Sequence, residues 1–218
     1  MPMAAERQRE ALLVALAAGS GATDAFSFVA LGHVFTSVIT GNLVLVGVSI
    51  GALSFTDVLD IAIAVACYLL ATAAAARFLH DRVPADTVWT TALTRMLVAE
   101  AVVQAVVLAL WVVAPIRLLL IGLCAVAMGA QSATVRAVPG TGLSTTYLTG
   151  TLTALVASLA TGRRGSVGRA AGIGVLVTLV LGAIAESALL RVLPVVAPAL
   201  PLVVSIAVAI CATRLRPA

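Results

Sequence analysis

The 218-residue chain has no lysine, and its thirteen basic side chains are all arginine. Charged residues make up only 10% of it, against about 25% in a typical soluble domain. So few polar groups cannot cover a water-exposed surface, which excludes an ordinary soluble fold. Histidine occurs twice, as His33 and His80, both at the ends of apolar runs, which marks them as interfacial. With no imidazole inside a run, Ser132 and Ser144 lack a base and no His/Asp metal constellation exists, so no enzymatic function is expected. The three cysteines, Cys67, Cys124 and Cys211, fall inside apolar runs at spacings that fit neither a metal site nor a disulfide framework. They read as small buried hydrophobes. Gly19-x-Gly21 and Gly140-x-Gly142 are fragments without a strand-and-helix context, so no nucleotide cofactor is expected. No basic patch is interleaved with aromatics. The net charge of +4 sits in loops and tails and sets topology rather than binding nucleic acid.

What is present is apolar: 62% of the residues, with a mean hydropathy of +1.18. In a bilayer core every backbone N–H and C=O must be paired within the protein, which leaves helices or closed barrels. Barrel strands would alternate over roughly ten residues. These runs instead approach the ~20 residues of a spanning helix and are rich in Ala, Leu and Val. The fold expected is an all-α, polytopic transmembrane helix bundle. The all-arginine, Ala/Val-rich composition points to a GC-rich bacterial source and the bacterial inner membrane.

Eight spans are expected, near 11–32, 34–53, 57–79, 88–113, 117–137, 142–161, 168–191 and 195–213. The last break, around Pro194 and Pro198, leaves seven as an alternative. Arg7 and Arg9 before Ala11–Ala18 resemble a signal peptide. The apolar run continues past Asp24 to Leu31, however, and reads as a retained first span. With both termini cytoplasmic, eight arginines fall inside (7, 9, 117, 163, 164, 169, 214, 216) and four outside (77, 82, 136, 191). Arg77 and Arg82 then lie on the disfavoured side.

The chain also repeats itself. Gly21-Ala22-Thr23-Asp24-Ala25 reappears as Gly129-Ala130-Gln131-Ser132-Ala133, at an offset of 108 residues. Thr36 to Leu43, containing Thr40-Gly41-Asn42, reappears as Thr145 to Leu152, containing Thr149-Gly150-Thr151, at an offset of 109. One membrane domain, 1–218, made of two four-helix halves, 1–113 and 114–218, is expected. An even number of crossings per half would make the halves parallel.

Polar residues in a span face the bundle interior or a wet cavity, because an unpaired polar group in hydrocarbon costs several kcal/mol. Asp24, Glu100 and Glu186 are the acids in such positions. Glu100 and Gln104 share a helix face, whereas Glu186 lies nearer a span end, within reach of Arg191. Asp24 has Asn42 or Arg95 as expected partners. The candidate site is Asp24, Thr40, Gly41, Asn42, Glu100, Gln131, Ser132, Thr149, Gly150 and Thr151. Thr-Gly pairs also pack membrane helices, and the GxxxG motifs Gly47–Gly51 and Gly168–Gly172 read as packing.

Gly21 to Phe28, then Val34-Phe35, then Thr40-Gly41-Asn42 resemble the N-terminal signature of the YoaK-like bacterial membrane proteins. Met128 to Ala133, followed by Thr145 to Thr153, resembles that family's second signature. Ser132 departs from it, standing where Asn would be expected. The resemblance implies a multi-span membrane fold and an acid at Glu100 in the fourth span. It implies no substrate.

Three functions are compatible with these residues. One is a small secondary transporter of a polar solute or ion, with Asp24 as the coupling carboxylate. The others are a passive channel or lipid-handling protein, and a non-transporting sensor or assembly component. The partners expected are the lipid bilayer and a small polar solute or coupling ion. A homo-oligomer is compatible with the composition.

Overall fold

A computed structural model describes residues 2–84, 87, 89–139, 145, 148–161 and 169–215, with the side chains of 2–5 and 169 excluded. Several features of the sequence reading lie outside the described residues: Asp86, Gly140–Gly142, Ser144, Thr146, Tyr147, Arg163, Arg164, Gly168 and Arg216. The expected eight α-helices are present: α1 Pro2–Ala30, α2 Ile39–Gly51, α3 Phe55–Leu79, α4 Thr91–Val113, α5 Arg117–Ala137, α6 Leu148–Thr161, α7 Arg169–Val192 and α8 Ala199–Thr213. A short 3₁₀ turn, Pro194–Val196, sits at the uncertain last break. The described residues contain no strand.

Six of the helices are long and apolar enough to cross a bilayer: α1, α3, α4, α5, α7 and α8 with its preceding turn. The other two, α2 and α6, have 13 and 14 residues. At 1.5 Å per residue they reach about 20 Å, short of a hydrocarbon core of about 30 Å.

Side-chain contacts fix the direction of each helix. In α1 and α7, Val14 meets Gly174 and Thr178, and Ala18 meets Gly182, so the two run parallel. In α3 and α5, Cys67 meets Gly122 and Thr72 meets Gly129, again parallel. Between α1 and α5 the order reverses. Gln131 reaches Ser20, whereas Gly32, just past the end of α1, lies against Arg117 at the start of α5. Helix α4 runs with α1, through Gln104–Thr23 and then Trp111–Phe26. Helix α8 runs against it, through Gly19–Val204 near mid-length and the packing of Val208 to Leu215 with Leu12 to Ala17.

The beginning of α1 and the end of α8 therefore share one face, the terminal face. There Arg9 Nη1 donates to the Pro139 carbonyl at 2.9 Å. Helix α1 ends, and α3 begins, at the opposite face; α5 ends, and α7 begins, at the terminal face. Neither α2 nor α6 crosses. Residues 1–113 and 114–218 thus contribute three crossings each, an odd number, and α5 runs antiparallel to α1. The parallel relation expected from four crossings per half does not arise.

Close helix contact explains several glycines. A Cβ at Gly21 would strike the Leu179 carbonyl, one at Gly129 the Tyr68 carbonyl, and one at Gly182 the Ala18 carbonyl. Gly47 and Gly51 differ: a Cβ at either meets nothing within 4 Å, so this GxxxG does not pack within the chain. Apolar side chains such as Val44, Val48, Leu70 and Ile184 point outward, while Thr23, Asn42, Gln104 and Gln131 are buried. This polar-inside arrangement suits a bilayer, where lipid covers the apolar exterior.

Candidate functional site

The connection from α1 to α2 turns back into the protein. Gly32 and His33 adopt positive φ, 111° and 61°, and reverse the chain after α1. Glycine has access to that region without a Cβ clash. The chain then runs back along α1. Ser27 Oγ donates to the Val34 carbonyl at 2.8 Å, and the Thr36 and Ser37 amides reach Asp24. From that depth α2 begins and returns to the opposite face, where α3 starts. Residues 34–53 therefore form a re-entrant hairpin, not the crossing span expected.

Irregular backbone at this depth is tolerated only where protein pairs its polar groups, and two side chains do most of that pairing. Asp24 Oδ1 accepts from Thr36 N (2.8 Å), Ser37 N (2.8 Å) and Thr36 Oγ1 (3.2 Å), and Oδ2 accepts from Ser37 Oγ (2.5 Å). Asn42 bridges Phe35, accepting from its N–H at 3.0 Å and donating to its carbonyl at 2.6 Å. Asp24 bonds neither Asn42 nor Arg95. Its lone pairs are taken up in holding the hairpin.

The second half has a counterpart. Gln131 Nε2 donates to Ser20 Oγ at 2.7 Å and to Thr145 Oγ1 at 2.9 Å. Thr145 matches Thr36 in the repeat. It lies beside Gln131, six residues before the end of α5, and α6 starts at Leu148. The two Thr-Gly motifs open α2 and α6, and correspond in burial as well. Asn42 and Thr151 are buried, Gly41 and Gly150 are half-buried, and Thr40 and Thr149 are exposed. Ser132, matched to Asp24, is half-buried.

Glu100 is buried at the α4–α8 contact, where Ser205 Oγ donates to its Oε1 at 2.9 Å. Beside it, Gln104 Nε2 donates to Thr23 Oγ1 at 3.2 Å. Nine of the ten expected residues thus fall into three clusters, and Ser132 stands half-buried on α5 next to Gln131. Asp24 and Asn42 hold the first hairpin, with Thr40 and Gly41 opening α2. Gln131 holds the second, with Thr149 to Thr151 opening α6. Glu100 stands between α4 and α8.

Asp60 escaped the sequence reading, and Gln104 and Glu186, polar residues in spans, stand outside the ten candidates. Asp60, wholly buried on α3, pairs with Arg117 at 3.2 Å. Gln104 joins the buried polar set. Glu186, placed by sequence near Arg191, is also wholly buried, and neither of its oxygens meets a hydrogen-bonding group among the described residues. For Asp60 a signal existed: an acid in the second turn of an apolar helix and one unmatched arginine opening another.

Two cavities adjoin these groups. The larger, about 730 Å³, lies between α1, α7 and the hairpin loop, with Asp24, Phe28, Phe35 and Ser187 in its wall and Arg191 at the end of α7. The smaller, about 300 Å³, lies between α3, α4 and α5 and contains Glu100. Both fall in the size range of small-molecule sites, and both have mostly apolar walls. Among the described residues no group of three or more His, Cys, Asp or Glu is placed to hold a metal ion.

The UPF0700 transmembrane protein YoaK of Bacillus subtilis (strain 168) is 32% identical over 157 residues, covering 71% of this chain and 68% of that protein. No solved structure matches the chain. A family model described as a protein of unknown function, DUF1275, matches residues 12–211. The chain is therefore a multi-pass membrane protein belonging to the DUF1275 family.

Proposed function

We propose that this protein is a secondary transporter of a small polar solute or ion, built from two inverted three-span halves that each carry a re-entrant hairpin. The observation that carries this reading is the pair of short helices, α2 and α6. They start at the depth of Asp24 and of Thr145, and return to opposite faces. Discontinuous helices in matching positions of two inverted repeats are the structural mark of midplane substrate sites in transporters. The halves, 1–113 and 114–218, are read as a duplication. Gly21 against Leu179 and Gly129 against Tyr68 are equivalent backbone contacts. Thr36 and Thr145 each meet the helix before their short helix, Thr36 donating to Asp24 and Thr145 accepting from Gln131, the neighbour of the residue matched to Asp24.

The arginines support an orientation with the terminal face cytoplasmic. Arg7, Arg9, Arg77, Arg82, Arg136 and Arg214 lie toward that face, and Arg117 and Arg191 toward the other. With six crossings, Arg77 and Arg82 no longer stand on the disfavoured side. The membrane proposed is the bacterial inner membrane, and no enzymatic step or cofactor is part of the reading.

The test is uptake in proteoliposomes under an imposed proton or sodium gradient, using a panel of labelled amino acids, carboxylates, amines, sugars and alkali cations. Accumulation of one class above protein-free liposomes is expected. Equilibration without accumulation, unaffected by either gradient, would point to a passive channel instead.

A further inference from the structure

We infer that Glu186 is a proton-binding site in the membrane interior, served by the cavity between α1, α7 and the 35–38 loop. Four acids are buried in the spans, and three of them have partners. Asp24 receives four hydrogen bonds, Asp60 pairs with Arg117, and Glu100 accepts from Ser205. Glu186 alone among these four has neither a hydrogen bond nor an ion pair within the described residues; Asp60 accepts no hydrogen bond either, but has the Arg117 guanidinium at 3.2 Å. A carboxylate with no donor and no countercharge is strongly disfavoured in a low-dielectric interior, whereas its neutral acid is tolerated. Such acids inside membrane spans mark ion pathways and proton relays.

The surroundings favour the proton over other cations. From α1 the titratable group is Asp24 and from α5 it is Cys124, whose sulfur lies within electrostatic reach of both carboxyls. The described residues of α6 and the 3₁₀ turn at 194–196 contain no titratable group. The nearest cation on the same helix, Arg191, is exposed and faces the larger cavity. One carboxyl without further ligands cannot coordinate a metal ion, but it can hold a proton. Ala183 and Ser187, three residues before and one after Glu186, line the cavity together with Asp24. A small rotation of α7 would bring the carboxyl to that wall, where water could take its proton.

As the coupling site of a transporter, this assignment rests on the proposed function; as a proton site it stands alone. The test treats the full-length protein in liposomes with a lipid-soluble carbodiimide at acidic and alkaline pH. In this reaction the acid adds its O–H across a C=N bond, and the product rearranges to a stable N-acylurea, which peptide mass spectrometry locates. The adduct is expected on the peptide containing Glu186, more at acidic pH, absent in Glu186→Gln and retained in Asp24→Asn. No adduct on wild-type Glu186 at any pH, or an adduct insensitive to pH, would overturn the inference. If the adduct forms as expected and no solute of the panel moves, the proton site stands and the transport reading fails.

Discussion

Replacing Asp24 by alanine removes the acceptor for the Thr36 and Ser37 amides and for both hydroxyls. Hydroxyls can turn to other acceptors, but the two N–H groups are fixed by the backbone and stay buried. Each unsatisfied donor costs about 1–3 kcal/mol, so Asp24→Ala should lose roughly 2–6 kcal/mol. At about 2–4 °C per kcal/mol for a chain of this size, the unfolding midpoint should fall by roughly 5–20 °C. Asp24→Asn is the discriminating partner. It keeps an oxygen where three donors converge, and the Ser37 hydroxyl can rotate to accept from the new amide. Its loss should stay near 1 kcal/mol. The assay is thermal unfolding in detergent, followed by the fluorescence of Trp89 and Trp111. Asparagine as damaging as alanine would refute the brace, because charge and not acceptor geometry would then be what the hairpin needs. An alanine variant as stable as wild type would refute it more directly.

Arg117→Ala leaves Asp60 buried without a countercharge and should cost roughly 3 kcal/mol, the low end for a buried pair because the arginine is 44% exposed. The double variant Asp60→Asn/Arg117→Gln should recover most of that loss in the same unfolding assay. Gly182→Val drives a side chain into the Ala18 carbonyl and should cost at least 1–3 kcal/mol by forcing α1 and α7 apart. Gly47→Val, which meets nothing, should stay within about 0.5 kcal/mol of wild type.

Composition and run length were enough to read a helical membrane bundle and eight helices. They could not tell crossing from re-entry. Residues 34–53 are as apolar as a span. Their first five residues are nonetheless held in irregular conformation by bonds to Ser27 and Asp24, seven to thirteen positions away in sequence. A hydropathy window does not register such tertiary pairing. The misplaced Arg77 and Arg82 were the one trace of it in the sequence. The buried polar residues were legible because polar groups in spans must face inward, so Asp24, Asn42, Glu100 and Gln131 were found. Their roles were not, because roles depend on which donor meets which oxygen. Asp24 proves to be engaged in holding the hairpin. Glu186, discounted for its nearness to a span end, is the acid left without a partner.

Six crossings with inverted halves form the central claim, and cysteine labelling in whole cells tests it directly. With Cys67, Cys124 and Cys211 replaced, single cysteines are placed at the exposed positions Ala52→Cys, Asp81→Cys and Ala114→Cys. A membrane-impermeant thiol reagent added outside should label positions 52 and 114 and leave 81 untouched until the cells are opened. Eight crossings with the same termini inside predict the reverse, labelling at 81 alone. That result would contradict the six-span account.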